Sequence, residues 1–279
     1  MEKFDDLSFV ISERVTKEYS TSFYAASQLF DKEVRDGIFS IYGFVRFADE
    51  IVDTFHDYDK NYLLDKFESD CYDALTHGIS LNPVLNSFQK TVKKYEIPCK
   101  LVECFVASMR KDLDKKIYLN RNESDEYIYG SADVVGLMCL KVFCKGDNHL
   151  FKELEKPAMK LGSAFQKVNF LRDLRNDTEL LGRQYFHQIN GHGFDNTAKE
   201  EIIAEIEADF KEALQGLRKL PGNSRMAVYI AYSYYTALLK KIKNASIHDI
   251  LSERIRISDR TKLFLMLKSI LFTKLNVIQ

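Results

Sequence analysis

The sequence predicts an all-α protein folded as a single domain spanning residues 1–279, on three observations. Apolar residues recur at three- and four-residue spacings almost throughout, whereas convincing apolar–polar alternation of strands is absent. With only 4 Pro and 12 Gly, no Ser/Gly-rich stretch, no low-complexity run and no fixed-period repeat, nothing divides the chain into two units. A hydrophobic content of 46% is enough for a sizeable core.

The first periodic stretch reads as a helix over 7–28. Asp31 is a candidate start for the next, 33–55, which carries the nearly unbroken apolar run Ile38 to Ala48. Helices follow over 59–76 and 83–94, the latter opening after Asn82. Pro98 interrupts the pattern before 99–117, and Gly146 ends 124–144. Asp147 is placed to start 148–177. The Gly-, Asn- and His-rich stretch Gly182 to Asn196 is expected to be a mobile loop. Helices over 196–217, 222–243 and 259–275 complete the pattern.

Composition removes several function classes. Forty basic residues against 41 acidic ones give no net field for nucleic acid or an anionic membrane. Clusters such as Lys93-Lys94 and Lys240-Lys241-Ile242-Lys243 read as solvated helix faces. Cys71, Cys99, Cys104, Cys139 and Cys144 are odd in number and contain no CxxC, which indicates reduced core cysteines and not a disulfide framework or a zinc site. The histidines form no HExxH, and His56 and His187 read as structural. Met1 to Asp6 lacks a signal-peptide pattern, and Leu263 to Leu267, bounded by Lys262 and Lys268, falls far short of the ~20 residues a spanning helix needs. A cytoplasmic protein is expected, with no transmembrane segment.

The chemistry is concentrated in two acidic stretches, Asp49-Glu50-Ile51-Val52-Asp53 and Asn169-Phe170-Leu171-Arg172-Asp173-Leu174-Arg175-Asn176-Asp177. Oxygen ligands recur every four residues, so on helices Asp49 and Asp53 share one face, as do Asn169, Asp173 and Asp177. Acids four apart repel, and neither stripe has a Lys or Arg at i+4 on its own face. Hard oxygen ligands without thiolate or imidazole suit Mg²⁺, or Mn²⁺, held together with phosphate oxygens of a substrate. The alternative is that both stripes are solvated helix faces. Against it stands the largely apolar setting of each helix, which points to an interior position where unpaired carboxylates are costly.

Taken in order, these stretches resemble the squalene/phytoene synthase family of head-to-head prenyl synthases. The matching residues are Tyr19 to Tyr24, Tyr42 to Arg46 leading into Asp49–Asp53, Tyr127-Ile128-Tyr129 with Val135 to Met138, Gly162 to Asp173, and Gly182-Arg183-Gln184-Tyr185. The resemblance implies the isoprenoid synthase helical fold, a central cavity, and two acidic helices facing each other across its mouth. It implies that Asp49, Asp53, Asn169, Asp173 and Asp177 hold the metal. Ser20, Ser22 and Arg46 would contact the diphosphate, and Gln166 and Asn169 would bind substrate as polar residues beside the second stripe. Arg172 would either grip phosphate oxygens or balance the adjacent acids, and Tyr127 and Tyr235 would stand in the cavity. Phe23, Tyr42, Phe44 and Phe165, next to the polar motifs, are candidate wall residues for shielding a carbocation; each alone also suits plain core.

Three departures qualify the resemblance. Asn176 stands where many relatives carry another acid, Asp133 adds a carboxylate beside the expected cavity, and Asp112-Leu113 is followed by Ile117-Tyr118 where relatives often have Arg-Tyr. The function implied is a Mg²⁺-dependent transferase joining two geranylgeranyl diphosphates through a cyclopropyl intermediate to phytoene, in carotenoid biosynthesis, without NADPH. Small Ser27, one turn beyond Phe23 on the same face, favours the longer substrate. Squalene or dehydrosqualene synthesis from farnesyl diphosphate is the alternative, and a non-catalytic assembly protein the alternative from another class. The partners expected are a prenyl diphosphate and, transiently, a membrane surface; nucleic acid is not.

Overall fold

The computed structural model describes residues 1–191 and 193–275, and it is helical almost from end to end. Its elements are α1 (Glu2–Tyr19), α2 (Thr21–Ser27), α3 (Lys32–Asp53), α4 (Lys60–His77), α5 (Pro83–Lys94), α6 (Cys99–Asp114), α7 (Arg121–Ile128), α8 (Val134–Cys144), α9 (Asn148–Glu179), α10 (Asn196–Leu217), α11 (Gly222–Asn244), α12 (Ile247–Ser252) and α13 (Asp259–Lys274). Among the described residues the only strand-like pairing is a bridge between Ile117 and Gln184. The fold is therefore an all-α domain.

Local sequence explains most boundaries. Asn82 accepts from the amides of Val84 and Leu85 and caps α5, with Pro83 in the first turn, and Asp147 caps α9 through His149 and Leu150. Asp31 precedes α3 but makes no side-chain cap. The expected helix over 7–28 is two helices. Ser20 leaves the helical region at φ −149° and ψ 89°, and its hydroxyl accepts from the Phe23 amide to start α2. The short α12, which the periodicity did not show, is held by a capping box between Ser246 and Asp249.

Two apolar clusters meet around α9. One gathers α3 to α6 and α8, including Ile38, Phe44, Phe88, Phe105 and Met138. The other joins the α7–α9 region to α10–α12, including Phe170, Tyr185, Ile206 and Ile242, and Tyr232 packs against both. Phe44 belongs wholly to the first: it is 0% exposed and stacks on Phe88 at 4.0 Å, so it is core and not cavity wall.

Between α7 and α8 the chain runs through a π turn, Tyr129–Asp133. Close approach requires its glycines: a Cβ on Gly130 would sit 1.9 Å from the Ser108 hydroxyl, and one on Gly162 of α9 would sit 2.8 Å from the Ala132 carbonyl. The turn is thus wedged between α6 and α9. By length and composition Arg121–Cys144 could cross a bilayer, a stretch the sequence reading passed over; 67% of its apolar window is buried among neighbouring helices, as in a domain core.

The segment 182–196 is anchored where a loop was expected. Arg183, Tyr185, Phe186 and Ile189 are buried, Gln184 pairs with Lys116 through its amide, and Asn190 donates to the carbonyls of Tyr118 and Leu119. His192, within the same stretch, lies outside the described residues.

Candidate active site

Helix α3 carries Tyr42, Arg46, Asp49 and Asp53, and α9 carries Phe165, Gln166, Asn169, Asp173 and Asp177. At i, i+4, i+7 and i+11 on α3, and i, i+4 and i+8 from Asn169 on α9, each set forms one stripe. The two stripes converge. The Arg183 guanidinium donates to Asp53 Oδ1 at 2.6 Å, while its backbone N–H donates to the carbonyl of Asp177 at 2.7 Å. The charge of Asp53 also acts on Asp177.

Each stripe contains one carboxylate that arginine satisfies and one left under strain. Asp53 has Arg183; Asp173 has Arg172 at 2.5 Å and Arg254 at 2.7 Å. Asp49 is pushed up to about 7 by burial and then by the charge of Asp53. Asp177 is likewise pushed up to about 7, by burial and then by Asp173. The stripes thus have protein cations although neither has one at i+4 on its own face. Their arginines come from Arg183, Arg254 and the adjacent Arg172, not from i+4 neighbours.

Arg46 also departs from expectation. Its guanidinium pairs with Glu50 and lies 4.3 Å from the centre of the Tyr19 ring, so here it balances an acid and does not project free towards the site. The aromatic residues form two pairs: Phe23 stacks on Tyr42 at 5.2 Å, and Phe165 stacks on Tyr235 at 4.0 Å. Tyr235 donates from α11 to Asn169 Oδ1 at 3.2 Å and acts electrostatically on Tyr42, so α3, α9 and α11 border one space. Burial pushes the Tyr42 hydroxyl up to about 12. Ser20 and Ser22 lie at the start of α2 and Gln166 is half-buried on α9. Ser27, at the end of α2, is 1% exposed, and its hydroxyl has no hydrogen-bond partner.

Deeper in, Tyr127 donates to Asp112 Oδ2 at 2.8 Å, and its ring lies among Tyr118, Tyr185 and Phe170. Asp112 is pushed up to about 7 by burial, against the lowering influence of Arg183, whose guanidinium donates to the Asp112 carbonyl at 3.0 Å. Arg183 and Asp112 are the site residues to which sequence reasoning gave no role. The motif Gly182-Arg183-Gln184-Tyr185 was the signal for the first. Asp133 does not join the stripes: it accepts from Ser163 at 2.6 Å on the back of α9 and lines a cleft with Lys160, Lys167 and Asp209.

No three His, Cys, Asp or Glu side chains among the described residues are gathered into a ready metal cage. The donor set nonetheless fits a hard cation. Four carboxylates on two converging helices, two of them pushed up to about 7 by burial and then by a neighbouring carboxylate, supply oxygen ligands from each side of a site that a diphosphate would complete. A divalent ion there would compete with the arginines for the same oxygens.

The chain resembles known proteins. The family model described as squalene/phytoene synthase matches residues 16–189, which contain both stripes. Phytoene synthase 3, chloroplastic, of Zea mays is 29% identical over 275 residues, covering 92% of this chain and 64% of its own length. The phytoene synthase of Arthrospira platensis is 24% identical over 273 residues, with 88% and 87% covered. The chain thus spans less than two thirds of the maize relative. Among solved structures, a dehydrosqualene synthase in complex with a ligand superposes with a TM-score of 0.82 at 23% identity, covering 97% of this chain and 98% of that one. A squalene synthase from Alicyclobacillus acidocaldarius gives 0.74 at 21% identity, with 85% and 93% covered. These likenesses place the chain in the isoprenoid synthase fold.

Proposed function

Because the chain belongs to the squalene/phytoene synthase family, a family of prenyl transferases, we propose that it joins two geranylgeranyl diphosphates head to head, with Mg²⁺, to give phytoene for carotenoid synthesis. The observation that carries this reading is the convergence of the two carboxylate stripes at Arg183. An assembly protein would have no use for acids left under that strain. The phytoene assignment is supported by the names of the sequence relatives and by small, buried Ser27.

In this reading Asp49, Asp53, Asn169, Asp173 and Asp177 hold the metal, and Mg²⁺ supplies neutralisation of the charge that develops on the departing diphosphate. Ser20, Ser22, Gln166 and the arginines released from their carboxylates orient the diphosphate. Loss of diphosphate from one substrate leaves an allylic cation. The Phe23–Tyr42 and Phe165–Tyr235 pairs give it aromatic faces and keep water away. Bond formation to the double bond of the second substrate, with loss of a proton, closes the cyclopropane. Departure of the second diphosphate and loss of a further proton then give phytoene. Tyr127, fixed by its hydrogen bond to Asp112, is the candidate catalytic hydroxyl. The five free cysteines suit a reducing cytoplasm, with the membrane met only at its surface.

The test is chromatography of the hydrocarbon formed by purified protein from geranylgeranyl or farnesyl diphosphate, with and without NADPH. The expected product is phytoene, made without NADPH, lost with EDTA and restored by Mg²⁺. Squalene formed only with NADPH would overturn the substrate assignment while leaving the metal site standing. Diphosphate should raise the melting temperature only with Mg²⁺ present; equal stabilisation without it would assign binding to the arginines.

A further inference from the structure

We propose that α13, with the basic segment leading into it, seats the protein on an anionic lipid surface. One side of α13 is fixed to the body: Ser269 is 2% exposed and donates to the Ser233 hydroxyl of α11 at 3.0 Å. The opposite side is an uncovered apolar stripe. Leu263, Phe264, Leu267, Leu271 and Leu275 recur at helical spacing and are 53%, 63%, 57%, 55% and 61% exposed. A helix apolar around its circumference is ordinarily buried all round. A contiguous patch of this kind marks a surface that meets something.

Charge says what it meets. Residues 240–279 carry nine Lys and Arg against three Asp and Glu, although the whole chain has 40 against 41. Arg256, Arg260 and Lys268 are exposed and border the stripe. Large apolar side chains flanked by basic ones are the pattern of a helix lying in the interface of an anionic bilayer. A second copy of the chain is the poorer occupant, because docking the stripe on itself would bring Arg260 and Lys268 against their own counterparts.

The segment leading into α13 adjoins the site. Arg175, beside the second stripe, donates to the Ser252 carbonyl, and Arg254 pairs with Asp173, so the chain entering α13 is rooted on the acidic helix. That the seating delivers substrate rests on the prenyl reading, since a diphosphate with a long apolar tail resides in the bilayer. The seating itself does not.

Flotation with vesicles tests it. Wild-type protein should float with phosphatidylglycerol–phosphatidylcholine vesicles, weakly with phosphatidylcholine alone, and less as salt is raised. Phe264→Ser combined with Leu267→Ser should lower partitioning by ~10-fold or more, since two large exposed anchors are lost. Arg260→Glu with Lys268→Glu should abolish the preference for the anionic lipid, and it provides a second variant should the first fail to fold. Wild-type protein that does not float, or variants that float unchanged, would overturn the proposal. So would a wild-type dimer in sedimentation that the Phe264/Leu267 variant splits. No turnover is needed for this readout, so turnover on detergent-dispersed substrate without flotation would remove the surface alone.

Discussion

The two faces of α9 carry similar residues to opposite ends. On the back, Lys167 is held by Asp209 at 2.8 Å and by Glu205, and Lys160 reaches the other oxygen of Asp209 at 2.8 Å. Lys167 and Asp209 are 7% and 5% exposed and answer each other, with Glu205 and Lys160 completing the set. On the front, Asp173 is shared by two arginines, while Asp177 makes no ion pair among the described residues and is pushed up to about 7. Buried charge that the fold itself satisfies is a joint between helices. Buried charge that the fold leaves unmatched costs stability and is kept for a ligand.

The sharpest break in this comparison is catalytic. Asp173→Asn on the front of α9, and Asp49→Asn on the facing helix, should each lower turnover by ~10²–10³ at saturating Mg²⁺, because a charge stabilising the transition state is lost at constant volume. For Asp49, which makes no ion pair among the described residues, the loss should come with little change in melting temperature. Near-wild-type turnover in both would dissolve the distinction between front and back.

On the back the expected effect is on stability. Lys167→Met leaves Asp209 and Glu205 short of a cation in a closed setting, which should cost about 3–5 kcal/mol in urea unfolding. Turnover per folded molecule should remain close to wild type. A variant as stable as wild type but inactive would mean that Lys167 serves the site.

Asp133 sharpens the comparison through pH. It is buried on the back face beside Lys160 and Lys167, and burial pushes it up to about 7 despite the Ser163 hydrogen bond. Its folded pKa lies above the unfolded value of 3.8, so between the two the native state binds the extra proton. Stability from this group is present at low pH and is lost as pH rises through about 7. Asp133→Asn should therefore flatten the fall in stability between about pH 4 and 7, an effect of at most about 4 kcal/mol. An unchanged pH profile would show that Asp133 is ionised throughout.

What was legible in the sequence was local. Helices α3, α5 and α9 follow from apolar spacing and from caps at Asn82 and Asp147, and the stripes follow from i, i+4 spacing alone. What was not legible depends on long reach. Arg183 meets Asp53 across 130 residues and Arg254 meets Asp173 across 81, and no pattern near either acid announces its partner. Direction was hidden as well. Phe44 and Tyr42 sit in one continuous apolar run, and only packing decides that the first faces Phe88 and the second faces Phe23. Ser20 broke the first helix without Pro or Gly, through a backbone turn that its own hydroxyl stabilises.

The smallest expected effect concerns Ser27, where the front region is undersatisfied without any charge. Its buried hydroxyl has no partner, so the native state bears a desolvation cost. Ser27→Ala removes that cost and should be neutral or stabilising by about 1 kcal/mol, with chain-length preference unchanged. Ser27→Phe adds a ring one turn from Phe23, whose own ring stacks on Tyr42 at 5.2 Å. If the space beside that pair holds the far end of the prenyl chain, the larger side chain should shift preference from geranylgeranyl towards farnesyl diphosphate, at an overpacking cost of ~1–3 kcal/mol. A folded Ser27→Phe enzyme with the wild-type preference would show that Ser27 faces protein alone. Stabilisation by Ser27→Ala would then be the whole consequence of the orphaned hydroxyl.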